Sequence, residues 1–247
     1  ISAIWAHEET TDLAGYARDS AVRRWCADND VVLNEVQGRG VVRRLKNRDG
    51  WSARWQTYMD RQIVDAPAGV KCVTAPSDPL PQPVDLGVEP STCVERQPGG
   101  RTAAVATLDS FLEVRGEPFN RAMSSPVTAF DHCSRLSPYL AHGCVSAREC
   151  YQASRSRRLE IAEWSQRGSW LKSLRAFETR LRWRDHFTQK LEDQPSLEVE
   201  AMHPMFDDLR PGFDTDLFEA FVSGRTGYPM VDACMRATTA TGWLNFR

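Results

Sequence analysis

Apolar residues recur along this chain first at mixed strand and helix periods and later at the helical period alone. Residues 1–7, Ile-Ser-Ala-Ile-Trp-Ala-His, read as a buried strand. Over residues 12–29, Leu13, Tyr16, Ala17, Ala21, Val22 and Trp25 fall near helical spacing with charges between them, which predicts an amphipathic helix. Residues 31–36 predict a second strand, and Gly38-Arg39-Gly40 a turn. Trp51, Trp55, Tyr58 and Met59 form a further helical stripe. Strand and helix in alternation predict an α/β part with a parallel sheet over residues 1–64. His7-Glu8-Glu9 falls at a strand end, where open α/β sheets place ligands, or it is a polar loop.

Residues 65–103 lose all periodicity and are rich in Pro, Gly, Ser and Thr, which predicts an extended interdomain linker. From residue 104 to 247 the pattern is helical. Helices are predicted over 107–115, 146–157, 169–191, 216–223 and 230–239. Ser146 followed by Glu149 has the spacing of a capping box.

The longest of these helices carries a contradiction. At about 100° per residue, Trp170, Leu174, Phe177, Leu181, Thr188 and Leu191 share one face, and Arg184 falls among them. A charge on an apolar stripe needs a partner, either a carboxylate from another helix or an anionic ligand. Arg180, Trp183 and Phe187 flank the stripe and either line a pocket or pack against a neighbour. Upstream, the loop Cys133-Ser134-Arg135-Leu136-Ser137-Pro138-Tyr139-Leu140 sets hydroxyls and backbone N–H groups just before helices. Such groups suit phosphate oxygens or simply cap the helices.

The hydrophobic share of 41% in 247 residues is ordinary for a globular protein. No apolar run approaches the roughly 20 residues of a membrane span. No signal peptide is visible, so a cytoplasmic location is expected. The seven cysteines form no CxxC pair, which argues for reduced thiols and against a zinc site. Net charge is −2, yet residues 151–190 hold ten Lys/Arg against four Asp/Glu. A basic face there would meet phosphates or water. The chain starts without methionine, and both ends look cut, as in a piece of a longer protein.

The most specific stretch is residues 224–247, GRTGYPMVDACMRATTATGWLNFR. Gly227 permits a tight turn, and Pro229 suits a first helical turn. Asp232 and Arg236, four apart, are expected to pair. Trp243, Asn245 and Arg247 then bring together a stacking plane, an amide and a guanidinium, a set suited to flat rings and phosphates. This stretch resembles the flavin-domain signature of the DNA photolyase/cryptochrome family. CSRLSPYLAHGCVSARE and FETRLRWRDHF, in the same order, resemble that family too. HEETTDLAGYARDSAVRRWC and GVVRRLKNRDGW resemble the back half of its antenna domain.

The resemblance implies a partial Rossmann-like α/β part followed by an all-α FAD-binding part, truncated at both ends. It implies FAD as cofactor, held by Cys133, Ser134, Arg135, Leu136, Ser137, Phe177 and Arg184. Cys133 stands where the family has threonine, and Phe177 where tryptophan is frequent. Arg180, Trp183, Trp243, Asn245 and Arg247 would face substrate. The partner implied is damaged DNA with its lesion flipped from the duplex, met by a monomer. An antenna chromophore of folate or deazaflavin type is a further implication. Residues 1–247 alone would supply one wall of the FAD pocket and hold the flavin weakly. Arg180 stands where pyrimidine-dimer photolyases carry a lesion-binding glutamate, and arginine offers no acceptor. Three readings stay open: a blue-light photolyase, a cryptochrome photoreceptor, and a helical interaction module without flavin.

Overall fold

Two parallel strands, Ala3–His7 (β1) and Val32–Val36 (β2), pair from Ala3 with Val32 through His7 with Val36. The helix Leu13–Asp28 (α1) joins them; the Asp12 carboxylate accepts from Gly15 N at 2.5 Å and starts it. The expected strand–helix–strand order is present in this computed structural model, which describes every residue except 75, 77, 90, 92, 208, 210, 211, 246 and 247. The expected burial is not. β1 is largely exposed, with Trp5 at 73%, and α1 buries only Gly15 and Cys26. One crossover helix cannot cover both faces of a two-stranded sheet, so the apolar spacing of α1 finds little to pack against.

The stripe of Trp51–Met59 (α2) is buried as expected, but against helices far along the chain. Trp55 packs edge-on to Tyr151 with ring centroids 5.3 Å apart. Tyr151 belongs to Ala147–Ala162 (α7), which lies along Trp170–Asp193 (α8). Ser146 caps α7 with the expected reciprocal pair to Glu149, at 3.1 and 2.8 Å. Between α2 and Arg101–Ser110 (α3) the described residues form one short 3-10 helix, Pro83–Leu86, and are mostly exposed. α3 widens into a π turn at Phe111–Arg115. Three short helices follow, Phe119–Ala122 (α4), Ala129–His132 (α5) and Ser137–Ala141 (α6). Thr215–Val222 (α9) and Pro229–Thr241 (α10) come after α8. Phe111, Phe119 and Phe177 meet in the core, at 4.9 to 6.5 Å between ring centroids.

α8 ties the two parts together. Its first turns bury Trp170, Leu174, Phe177 and Leu181, as the stripe predicts. Farther on, the buried positions are polar: Asp185 and Gln189, both fully enclosed, while Thr188 and Leu191 are only half-buried. Asp185 Oδ2 accepts from Gly40 N at 3.0 Å and from Trp55 Nε1 at 2.9 Å. The Gln189 amide accepts from Val42 N at 2.7 Å and donates to Val42 O at 2.9 Å. It also accepts from Trp51 Nε1 at 3.1 Å. The coil segment after β2 brings backbone groups that an apolar partner would leave unsatisfied, so polar side chains fill this end of the stripe.

Gly40 sits where no side chain fits. An added Cβ would lie 2.2 Å from Trp55 Cδ1 and 2.7 Å from Asp185 Oδ2. Gly40→Ala is therefore expected to cost about 1–3 kcal/mol by overpacking. Urea denaturation should show a lower midpoint at unchanged slope.

Candidate functional site

The sequence nominated scattered residues, and the fold gathers most of them around one cavity of about 350 Å³. Cys133, Ser134, Arg135, Leu136 and Ser137 line it together with Phe177, Arg180, Trp183 and Arg184 of α8. Trp243 lines it as well. Asn245 lines a smaller neighbouring cleft instead, and Arg247 lies outside the described residues.

The loop is held from behind by Arg115, at the end of the π turn. Its guanidinium donates to the carbonyls of Cys133 and Ser134, the latter at 2.7 Å, and to Thr107 O at 3.1 Å. Its Nε donates to Ser110 Oγ at 3.0 Å. With those carbonyls turned toward Arg115, the Ser134 and Ser137 side chains border the cavity. α6 starts without a side-chain cap, so the capping alternative does not use Ser137. Burial pushes the Cys133 thiol up to about 11, which keeps it protonated at neutral pH. A thiol is a weaker donor than a hydroxyl.

Arg135 takes a left-handed backbone, φ 57°. This turns its guanidinium between Phe130 and Trp243, 3.9 and 4.8 Å from the ring centroids. Gln97 fixes it from both ends, accepting from Arg135 Nε at 3.1 Å and donating to Arg135 O at 3.0 Å. Burial depresses the pKa of Arg135, as it does for Arg115.

Arg184 does find a carboxylate, but from the adjacent residue rather than another helix. Its Nη1 donates to Asp185 Oδ1 at 3.2 Å and its Nη2 to Leu140 O at 3.3 Å. Burial depresses its pKa first, and the charge of Arg39 adds to the effect; Asp185 offsets part of both. The site therefore holds more positive charge than its own carboxylate balances. Arg180 lies 4.4 Å from the Trp183 ring centroid and its Nη2 is 3.8 Å from Met123 Sδ.

The signature near the C-terminus folds as a turn and helix, with Gly224 and Gly227 at positive φ and Pro229 opening α10. The expected Asp232–Arg236 pair is replaced by two separate clasps on the turn. Asp232 accepts from Thr226 N and Oγ1, both at 2.7 Å, and Arg236 donates to Gly224 O at 2.8 Å. The turn's own backbone groups capture both side chains before they can meet. Thr241 then fixes Trp243, accepting from its N at 3.1 Å.

Arg184 also borders a larger cleft of about 770 Å³, between the α/β part and the helices. His7, Glu8 and Glu9 at the end of β1 line it, with Arg39 and His142. Glu8 and Glu9 lie in the coil that leaves β1, so both the strand-end and the polar-loop readings are compatible with this placement. Burial raises the pKa of Glu8.

Sequence reasoning missed Phe119 and Met123, which line the first cavity, and the supports Arg115 and Gln97. Phe119 opens a four-residue helix and Met123 is its C-cap, a stretch too short to show a period. Gln97 sat in a stretch read as linker. No spacing signal marks Arg115.

Residues 177–247 match the family model described as the FAD binding domain of DNA photolyase. A deoxyribodipyrimidine photo-lyase of Streptomyces griseus is 32% identical over 200 residues, covering 78% of this chain and 39% of that protein. A bacterial class III photolyase from Agrobacterium tumefaciens superposes with a TM-score of 0.71 at 23% identity, over 99% of this chain and 52% of that one. A cryptochrome of Synechocystis sp. superposes with a TM-score of 0.73 at 20% identity, over 100% of this chain and 53% of that one. The chain thus spans about two fifths of that curated relative and about half of each solved structure. Among the described residues no helix is long and apolar enough to cross a membrane. The matched family model and the curated relatives, on a fold shared with the solved structures, lead to one conclusion: the chain belongs to the DNA photolyase/cryptochrome family.

Proposed function

We propose that the protein carrying this sequence is a FAD-dependent DNA photolyase that uses blue light to split pyrimidine lesions. The observation that carries this reading is the convergence of the 133–137 loop, Phe177, Trp183, Arg184 and Trp243 on one cavity. The residues present fit FAD. Ser134, Ser137 and the guanidinium groups of Arg135 and Arg184 suit the pyrophosphate, since charge-assisted bonds to phosphate are the strong ones. Phe177 and Trp243 offer apolar walls for the rings, and Leu136 excludes water. Bound and reduced, FAD supplies a light-excited electron donor, chemistry that no side chain has.

The chain's own part is to bind, orient and keep dry. Trp183 supplies a stacking surface for a base taken from the duplex. Arg180 beside it contributes a cation but no acceptor. That substitution favours the second reading, a cryptochrome photoreceptor that photoreduces without repairing DNA. The larger cleft, bordered by Arg184 and Arg39, is the proposed seat of an antenna chromophore of folate or deazaflavin type.

The visible spectrum of the full-length protein, before and after blue light with a reductant, tests the assignment. A flavin spectrum that bleaches is the expected result. A colourless protein would leave the helical interaction module as the remaining reading. Repair of irradiated oligonucleotides under blue light then separates enzyme from photoreceptor. Arg180→Glu should raise dimer repair if the missing carboxylate is the only obstacle.

A further inference from the structure

A second cleft, of about 390 Å³, adjoins the first cavity and shares Trp183 and Phe187 with it, while Trp51, Ser52, Arg182 and His186 belong to the second cleft alone. On α8, residues 183, 186, 187 and 190 share one face by helical spacing. Their rings form a continuous series that crosses into the α/β part. Trp183 to Phe187 is 6.4 Å between centroids, Phe187 to His186 is 5.4 Å, and His186 to Trp51 is 5.8 Å.

Each end of the series carries cations. Arg180 sits over Trp183, Lys190 over Phe187 at 5.9 Å, and Arg48 over Trp51 at 5.3 Å. Arg182 adds another in the cleft itself. Asp193, which holds Arg48 at 3.0 Å, is engaged with that arginine. Trp183 and Phe187 stay 38% and 53% exposed, open enough to offer ring surface. Burial and then the charges of Arg48 and Lys190 depress the pKa of His186, so its imidazole is neutral at pH 7 and accepts from Arg48.

Flat apolar surface interleaved with positive charge matches a ligand that is itself flat-ringed and anionic. We propose that this cleft is a second stacking subsite, which takes an unpaired base of single-stranded DNA while Arg182 meets a flanking phosphate. The proposal rests on the DNA-partner reading above and adds to it a place for undamaged strand beside the lesion cavity. Duplex DNA cannot use the subsite fully, because paired bases keep their faces stacked.

The test uses the full-length protein and a fluorescent, undamaged single-stranded dT oligonucleotide. Flavin content is measured on the same samples. Phe187→Ala is expected to weaken strand binding by about ten-fold, the size of one lost base–aromatic contact. Arg182→Glu, at an exposed position outside the flavin cavity, should weaken it comparably and lower the slope of log K against log salt by about one. Undamaged duplex should be affected much less by Phe187→Ala. Strand binding that both variants leave unchanged would overturn the subsite. Equal loss for duplex and single strand would also overturn it, since contact with the backbone alone would then suffice. A colourless protein whose strand binding still depends on Arg182 and Phe187 would sink the flavin reading and leave the subsite standing.

Discussion

Replacing Arg184 with methionine should weaken FAD retention in the full-length protein by about 10- to 100-fold, the equivalent of one lost charge-assisted bond to phosphate. Methionine keeps the length and the helix propensity, so the stripe of α8 still packs. What disappears is a guanidinium with two of its donors engaged, by Asp185 and Leu140, and others left for an anion. Arg184→Lys keeps the charge without the fork and should fall between the two. Flavin released on gel filtration, read by absorbance per mole of protein, measures the effect. Wild-type retention in Arg184→Met would show that the arginine serves only to join α8 to α6. The melting temperature separates the two roles, because a purely structural arginine would lower it without touching flavin affinity at saturating FAD.

Asp185→Leu is expected to be the most damaging change to the fold, at about 3–5 kcal/mol, the usual cost of breaking a buried charge pair from one side. Gly40 N and Trp55 Nε1 would lose their acceptor, and Arg184 its counter-charge. Asp185→Asn tells a different story. Burial raises the carboxyl's pKa above its ordinary 3.8, and its donors offset only part of that. The folded chain therefore binds this proton more tightly than the unfolded one. The carboxyl's contribution to stability is greatest in acid and falls as pH rises from 3.8 through the folded pKa. Asparagine keeps an acceptor and carries no charge. The stability of wild type relative to Asp185→Asn should thus decline with rising pH across the acidic range. Urea midpoints taken at intervals from pH 4 to 7 check the sign, and a difference that grows with pH would refute it.

The helices with long apolar stripes were legible because their spacing alone determines which face is buried. α2, α7 and the first half of α8 follow from Trp51, Trp55, Ser146, Leu174 and Phe177 with little help. The burial of α1 and β1 was not, since a stripe states which face seeks cover and not whether cover exists. The cavity was legible through motif resemblance, and the charge anomaly of Arg184 pointed to it without any resemblance. Its supports were not. Arg115 and Gln97 work through backbone carbonyls and one side-chain contact across distant segments, and such partners leave no periodic trace. Asp185 and Gln189 escaped notice because polar residues on a helix normally signify solvent. Here they mark a junction with irregular backbone.

That junction bears on how such proteins exchange parts. Composition places the natural cut for a chimera in residues 65–103, where the chain is extended and poor in contacts. A graft made there would separate Gly40 from Asp185, Val42 from Gln189 and Trp55 from Tyr151. The inherited unit is instead the segment after β2, with α2, taken together with α7 and the second half of α8. Shuffling one α/β part for another would succeed only when these distant pieces travel together, so the boundary that recombination must respect runs through space rather than along the chain.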